Sequence, residues 1–272
     1  DRKLDDPFVM VGGPCAYNSE PLADFVDIVI LGEGEEVNLE VLNVYKEWKK
    51  NKTTREDFLM MVSKIEGVYI PSFYDVTYNE DKTVKETVPN RDGIPANPRK
   101  RIIKNMDEVP YPEALIVPYI ETVHERVVLE LFRGCTRGCR FCQAGMIYRP
   151  IREKSIETLK TSLDKLIKST GYDEISLSSL STSDYSKLSE LTDVLIEEYA
   201  SKNIGISLPS LRLDNFTMEI AEKIQQVRKS GLTFAPEAGT QRMRDVINKG
   251  VSEQDLKDAT TKAFEMGWNS VK

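Results

Sequence analysis

Three of the four cysteines fall within one short stretch, Cys135, Cys139 and Cys142, spaced C-x3-C-x2-C. Three thiolates at this spacing suit one metal ion or one cluster. An ordinary 4Fe–4S site takes four cysteines, and here the fourth, Cys15, lies far upstream. Three ligands on four irons leave one iron open to a substrate or cosubstrate. Gly134 and Gly138 let the backbone turn tightly around a bulky inorganic core. A zinc site of Cys3His type is the main rival. The only histidine, His124, precedes the apolar run at 127–132, so the intervening strand would carry it away from the loop. Cys15 reads as a small buried hydrophobe.

That apolar run, Val127-Val128-Leu129-Glu130-Leu131-Phe132, reads as a strand. A helical pattern follows from Ser155, with Ile156, Leu159, Leu163, Leu166 and Ile167 on one face. The cysteines therefore sit at the carboxyl end of a strand, where α/β folds place their chemistry. Strands are expected at Glu174–Ser178, Ile204–Leu208 and Leu232–Ala235, and an incipient one at Trp268–Lys272. Helices are expected around Leu188–Tyr199, around Phe216, Ile220 and Ile224, and from Ser252 to Gly267. Repeated βα units imply a parallel sheet with helices outside.

Toward the N-terminus, strands are expected at Phe8–Val11 and Asp27–Leu31, each followed by glycines, and a helix over Val37–Lys50. Two strands ending in glycine suggest the tail of a doubly wound sheet. Residues 67–70, 73–78 and 83–88 read as strands, the last two as a hairpin. The proline-rich stretch from Pro89 to Pro118 reads as a linker. The expected division is 1–52, a connector over 53–118, and 119–272.

The net charge of −7 does not attract polyanions over the whole surface. Locally, Arg133, Arg137, Arg140, Arg149, Arg152 and Lys154 form a basic cluster, with Arg99-Lys100-Arg101 upstream. Two readings stand: a solvated rim, or a site for an anionic substrate such as RNA or a ribosomal component. Clustered thiols in a cysteine-poor chain suit a reducing cytosol. No apolar run reaches the length of a membrane span, so a cytoplasmic protein without a membrane partner is expected.

The three cysteines, with Phe141 immediately before the third, resemble the signature loop of the radical S-adenosylmethionine (SAM) superfamily. The continuation Gln143 to Pro150 resembles its uncharacterised members that carry a cobalamin-binding type domain in front. The resemblance implies an α/β fold. Its parts are a partial (β/α) barrel, truncated at its C-terminal end, and before it the remnant of a doubly wound α/β domain. It implies a 4Fe–4S cluster on Cys135, Cys139 and Cys142, bound SAM, and reductive SAM cleavage to a 5′-deoxyadenosyl radical. An electron donor such as flavodoxin or ferredoxin is implied, with the substrate unnamed. Gly12-Gly13-Pro14 and Gly32-Glu33-Gly34-Glu35 resemble the end of the cobalamin-binding domain, which implies cobalamin in the full-length protein and opens radical methylation.

The resemblance further assigns SAM contacts to Phe141, to Ser179 and Ser181 in the loop after the second barrel strand, and to Arg212 and Glu237. The usual Gly-Gly-Glu form of that loop is absent, and a solvated loop is the plain alternative. For Arg212, before Leu213 and Asp214, the alternative is a structural salt bridge; for Glu237, before Ala238 and Gly239, a place at the next helix N-terminus. Two other classes stay open: a zinc-stabilised nucleic-acid-binding module, and a non-catalytic corrinoid- or partner-binding Fe–S protein.

Overall fold

The computed structural model describes residues 3, 5–209, 212–213, 220, 222–223 and 231–272. They form two compact units, Asp1–Lys104 and Asn105–Lys272. The sequence had placed the boundary near Tyr119.

In the first unit β1 (Met10–Val11) pairs in parallel with β2 (Ile28–Ile30), which pairs antiparallel with a later strand, Val68–Tyr69. Between them lie α1 (Gly34–Asn51) and α2 (Arg55–Val62). Helix α1 begins three residues before the expected start because Glu35 and Glu36 favour the positive end of its dipole. Helix α2 opens on a reciprocal cap between Thr54 and Asp57 and buries Phe58, Leu59 and Val62. The strand Val68–Tyr69 is β3, so part of the expected connector completes the first sheet. The expected hairpin forms from β4 (Tyr74–Tyr78) and β5 (Val84–Pro89). Cys15 is exposed, contrary to expectation; the 3-10 turn Pro14–Asn18 directs its neighbour Ala16 into the core instead.

Gly32 and Gly67 answer to the chain's own strap at Arg101. Arg101 pairs with Gly32, its N–H donating to the Leu31 carbonyl at 2.7 Å. Gly32 has φ +110°, and a Cβ there would lie 2.7 Å from the Arg101 nitrogen. A Cβ on Gly67 would lie 2.7 Å from the Arg101 Cβ. The Arg101 guanidinium donates to Glu36 at 3.0 Å and Glu40 at 2.7 Å.

In the second unit β6 (Val127–Glu130) is followed by β7 (Phe132–Arg133), α3 (Ala144–Ile147), β8 (Arg152–Glu153) and α4 (Ile156–Thr170). Then come β9 (Glu174–Ser178), α5 (Leu188–Tyr199) and β10 (Gly205–Ser207). The sheet runs β10-β9-β6, all parallel, each new strand adding on the same side. Ser155 caps α4 as expected, and Gly171 ends it in the left-handed conformation. Leu159, Leu163 and Leu166 from α4, with Leu191 and Leu195 from α5, bury against Val127, Leu129, Ile175 and Leu177. The winding is that of a partial barrel; among the described residues the sheet does not close.

Of the expected helix around Phe216, Ile220 and Ile224, Phe216 and Ile224 lie outside the described residues, while Ile220 and residues 222–223 are helical and Ile220 is buried in the core. Beyond it, α6 (Gln241–Val246) and α7 (Glu253–Glu265) follow, α7 with a reciprocal Ser252–Asp255 cap. Leu232 bridges Val271 in parallel, as the expected strands at 232–235 and 268–272 require. Leu213, Leu232, Phe234, Val251, Ala263 and Trp268 form a further apolar cluster. Among the described residues no helix is long and apolar enough to cross a membrane.

Candidate cluster and ligand site

The cysteines lie on a closed excursion from the sheet. Strands β7 and β8 pair antiparallel, Phe132 with Glu153 and Arg133 with Arg152, so residues 134–151 leave and return through one neck. Gly134 occupies the neck with φ +100°, and a Cβ there would stand 2.5 Å from the Pro150 carbonyl oxygen. No side chain fits. Cys135, Cys139 and Cys142 are free and half-buried, and the Cys142 N–H donates to the Cys139 carbonyl at 3.0 Å. Phe141 is 54 % exposed. His124 is exposed. Among the described residues no group of three or more His, Cys, Asp or Glu side chains is placed to hold a single metal ion.

The arginines of the basic cluster bond to acceptors of the chain itself. They brace this loop. Arg133 donates twice to Glu130, at 2.9 and 3.0 Å. Arg137 makes a forked pair with Asp184, one arm at 2.9 Å. Arg149 donates to the Cys135 carbonyl at 3.3 Å, and Arg152 to the Pro150 and Tyr148 carbonyls, both at 3.1 Å. Arg140 donates to the Val246 carbonyl. Lys154 is only 3 % exposed, 3.7 Å from Glu130 and 4.2 Å above the Tyr111 ring. Burial lowers its pKa, with the Glu130 charge opposing that shift.

The loops after the next strands turn inward beside it. Ser179 shares a hydrogen bond with Thr182 at 3.2 Å, and Thr182, fully buried, donates to the Pro209 carbonyl at 2.6 Å. Ser181 is 2 % exposed, and its hydroxyl has no partner among the described residues. This segment is therefore not a solvated loop. The Arg212 N–H donates to the Ser183 hydroxyl at 3.2 Å, and its guanidinium to the Lys249 carbonyl at 2.8 Å. Asp214 lies outside the described residues. Glu237 stands at φ +67° and accepts from the Lys249 ammonium at 3.1 Å. Thr240, not Glu237, caps α6.

Arg212 and Glu237 thus meet at one residue, Lys249, which the sequence did not single out. Its neighbour Asn248 donates to the Gly138 carbonyl of the cysteine loop at 2.9 Å. Arg244 is buried and donates to the Ala238 and Val251 carbonyls, at 2.8 and 2.9 Å, fixing the turn that bears Glu237. Asn248-Lys249-Gly250 carried only a turn signal in the sequence. Asp184 was visible only as a polar loop residue, since its partner is 47 positions away.

Residues 129–272 match the family model for the Radical SAM superfamily, and residues 1–71 that for the N-terminal region of Radical SAM proteins. The chain belongs to the radical SAM superfamily. It is 30 % identical over its whole length to an uncharacterised protein of Methanocaldococcus jannaschii, covering 52 % of that protein. It is 24 % identical to a putative methylthiotransferase of the same organism, over 84 % of this chain and 54 % of the relative. It is 23 % identical to an uncharacterised methyltransferase of Pyrococcus horikoshii, over 98 % of this chain and 53 % of the relative. The chain spans about half the length of these curated relatives.

Among solved structures, the fold resembles TsrM, a radical SAM methyltransferase from Kitasatospora setae solved with tryptophan and a SAM analogue. The TM-score is 0.63 at 11 % identity, covering 95 % of this chain and 48 % of that one. It also resembles OxsB, a cobalamin-dependent SAM radical enzyme solved with aqua-cobalamin and SAM. The TM-score is again 0.63, at 15 % identity, covering 97 % and 36 %. At these identities the likeness concerns the fold.

Proposed function

We propose that this chain carries the cluster- and SAM-binding part of a radical SAM transferase, in which Cys135, Cys139 and Cys142 ligate one 4Fe–4S cluster. The observation that carries this reading is the closed, glycine-necked loop that follows β6, with three half-buried free thiols and Arg149 bonded to the Cys135 carbonyl. The donor set fits such a cluster: three thiols on one short loop supply one thiolate to each of three irons and leave the fourth open. A reduced cluster of this kind supplies one electron to the SAM sulfonium and so opens radical chemistry at an unreactive carbon.

The chain's own residues hold and shield the ligand. Arg212 and Glu237, drawn together at Lys249, offer a fixed cation and a fixed carboxylate for the amino-acid and sugar ends of SAM. Methyl or methylthio transfer is the favoured outcome, from the names of the relatives. Corrinoid binding belongs to the longer protein, supported by the fold shared with cobalamin-dependent enzymes.

Anaerobic reconstitution with iron and sulfide tests the ligand set. Cys135→Ala, Cys139→Ala and Cys142→Ala should each lose most of the bound iron, and Cys15→Ala should keep it. Equal loss in all four variants overturns the assignment.

A further inference from the structure

The turn after α6 reaches the cysteine loop at three successive residues. The Arg140 N–H donates to the Ile247 carbonyl at 2.9 Å, and the Arg140 guanidinium donates to the Val246 carbonyl. The Asn248 amide donates to the Gly138 carbonyl at 2.9 Å and approaches the Arg137 carbonyl at 3.5 Å. These contacts straddle Cys139 on both sides. Both oxygens facing the Asn248 amide are carbonyls, so it must present its NH2 group. The turn is itself held, because Lys249 N–H donates to the Arg244 carbonyl at 2.9 Å and Arg244 is buried. Asn248 has φ +54°, a conformation asparagine tolerates better than most residues.

We propose that Asn248 is a positioning residue for the cluster: its amide fixes the 138–139 peptide through the Gly138 carbonyl and so the direction in which Cys139 leaves the chain. Gly138, at φ +71°, is where the loop would otherwise swing. Lys249 is gripped at the same time by Arg212 and Glu237. The dipeptide therefore ties the metal end of the site to its ligand end. This inference rests on the cysteines holding a cluster, as proposed above.

Two variants separate a donor role from mere tolerance of the backbone. Asn248→Gly keeps the left-handed conformation without a side chain. Asn248→Asp keeps shape and conformation but replaces the donor by an acceptor facing two carbonyls. In metal-free protein, hydrogen exchange in peptides covering residues 136–142 should accelerate roughly tenfold in both, the scale of one net hydrogen bond. Peptides from β6 and β9 should keep wild-type rates. In reconstituted protein, both variants should lose iron to an anaerobic chelator several times faster than wild type. Unchanged loop exchange in both variants overturns the proposal, as does acceleration spread over β6 and β9, or faster loop exchange with wild-type iron release. A wild-type protein that loads no iron refutes the cluster assignment instead, and is distinguished because the metal-free exchange still reports on Asn248.

Discussion

Lys154 places an ammonium where almost no water reaches it, and its lowered pKa follows from that burial. Between its depressed folded pKa and the ordinary value of 10.5, the unfolded chain binds the proton that the folded chain releases. Stability contributed by this group therefore rises with pH through that window. The buried Tyr185 hydroxyl, pushed up to about 12, acts in the opposite direction above the usual tyrosine range. Denaturation of wild type and Lys154→Met at stepped alkaline pH isolates the lysine: the wild-type rise should vanish in the variant. Parallel curves would mean that Lys154 titrates alike in the folded and the unfolded chain. At the ligand end, Arg212→Ala should weaken SAM binding by about 1.5–3 kcal/mol, roughly 10- to 150-fold, with iron content kept. Calorimetric titration of reconstituted protein checks this, and unchanged affinity would leave Arg212 as a prop for the Lys249 carbonyl alone.

The elements show what a sequence exposes and what it withholds. The strands and helices around the site were legible because leucines at helical spacing and short β-branched runs alternate without interruption from Val127 to Ile206. The two-residue ladder of β7 and β8 was not, since its pairing joins residues about 20 apart and carries no periodicity. Thr54-x-x-Asp57 spells the cap of helix α2, but its eight residues are too few to show a helical period within the expected connector. The arginines were legible as a cluster but not as a brace, because Asp184, Val246 and the loop carbonyls come together only in the fold. At Gly32 the fold adds what the sequence withholds: the missing Cβ makes room for the Arg101 backbone. The neck of the cysteine loop follows the same physics. Gly134→Ala adds a Cβ against the backbone at Pro150 and Ile151, at a φ that L-residues rarely adopt, and should cost at least about 2 kcal/mol. Iron retention should fall with it. An alanine variant that loads iron normally and melts like wild type would show that the neck can open without loss.

At the scale of the whole molecule, each unit has an apolar core of its own. That of the first is built on Val29, Val37, Phe58 and Val62, and the second has Leu129, Leu163, Ile175 and Leu191 at its centre. A unit with its own core has the means to unfold by itself. Arg101 ties the end of the first unit to Glu36, Glu40 and the Leu31 carbonyl, all within that unit. Anything that binds the folded form alone raises the stability of the part that binds it. Calorimetry should therefore resolve two transitions. Gly32→Ala should lower one of them and leave the other, because its Cβ collides only with the Arg101 strap. Cluster reconstitution should raise the transition that Gly32→Ala leaves alone, and Cys139→Ala should abolish that rise. A single transition that moves as one under both perturbations would show that the two cores melt together and that the cluster stabilises residues 1–104 as much as residues 105–272.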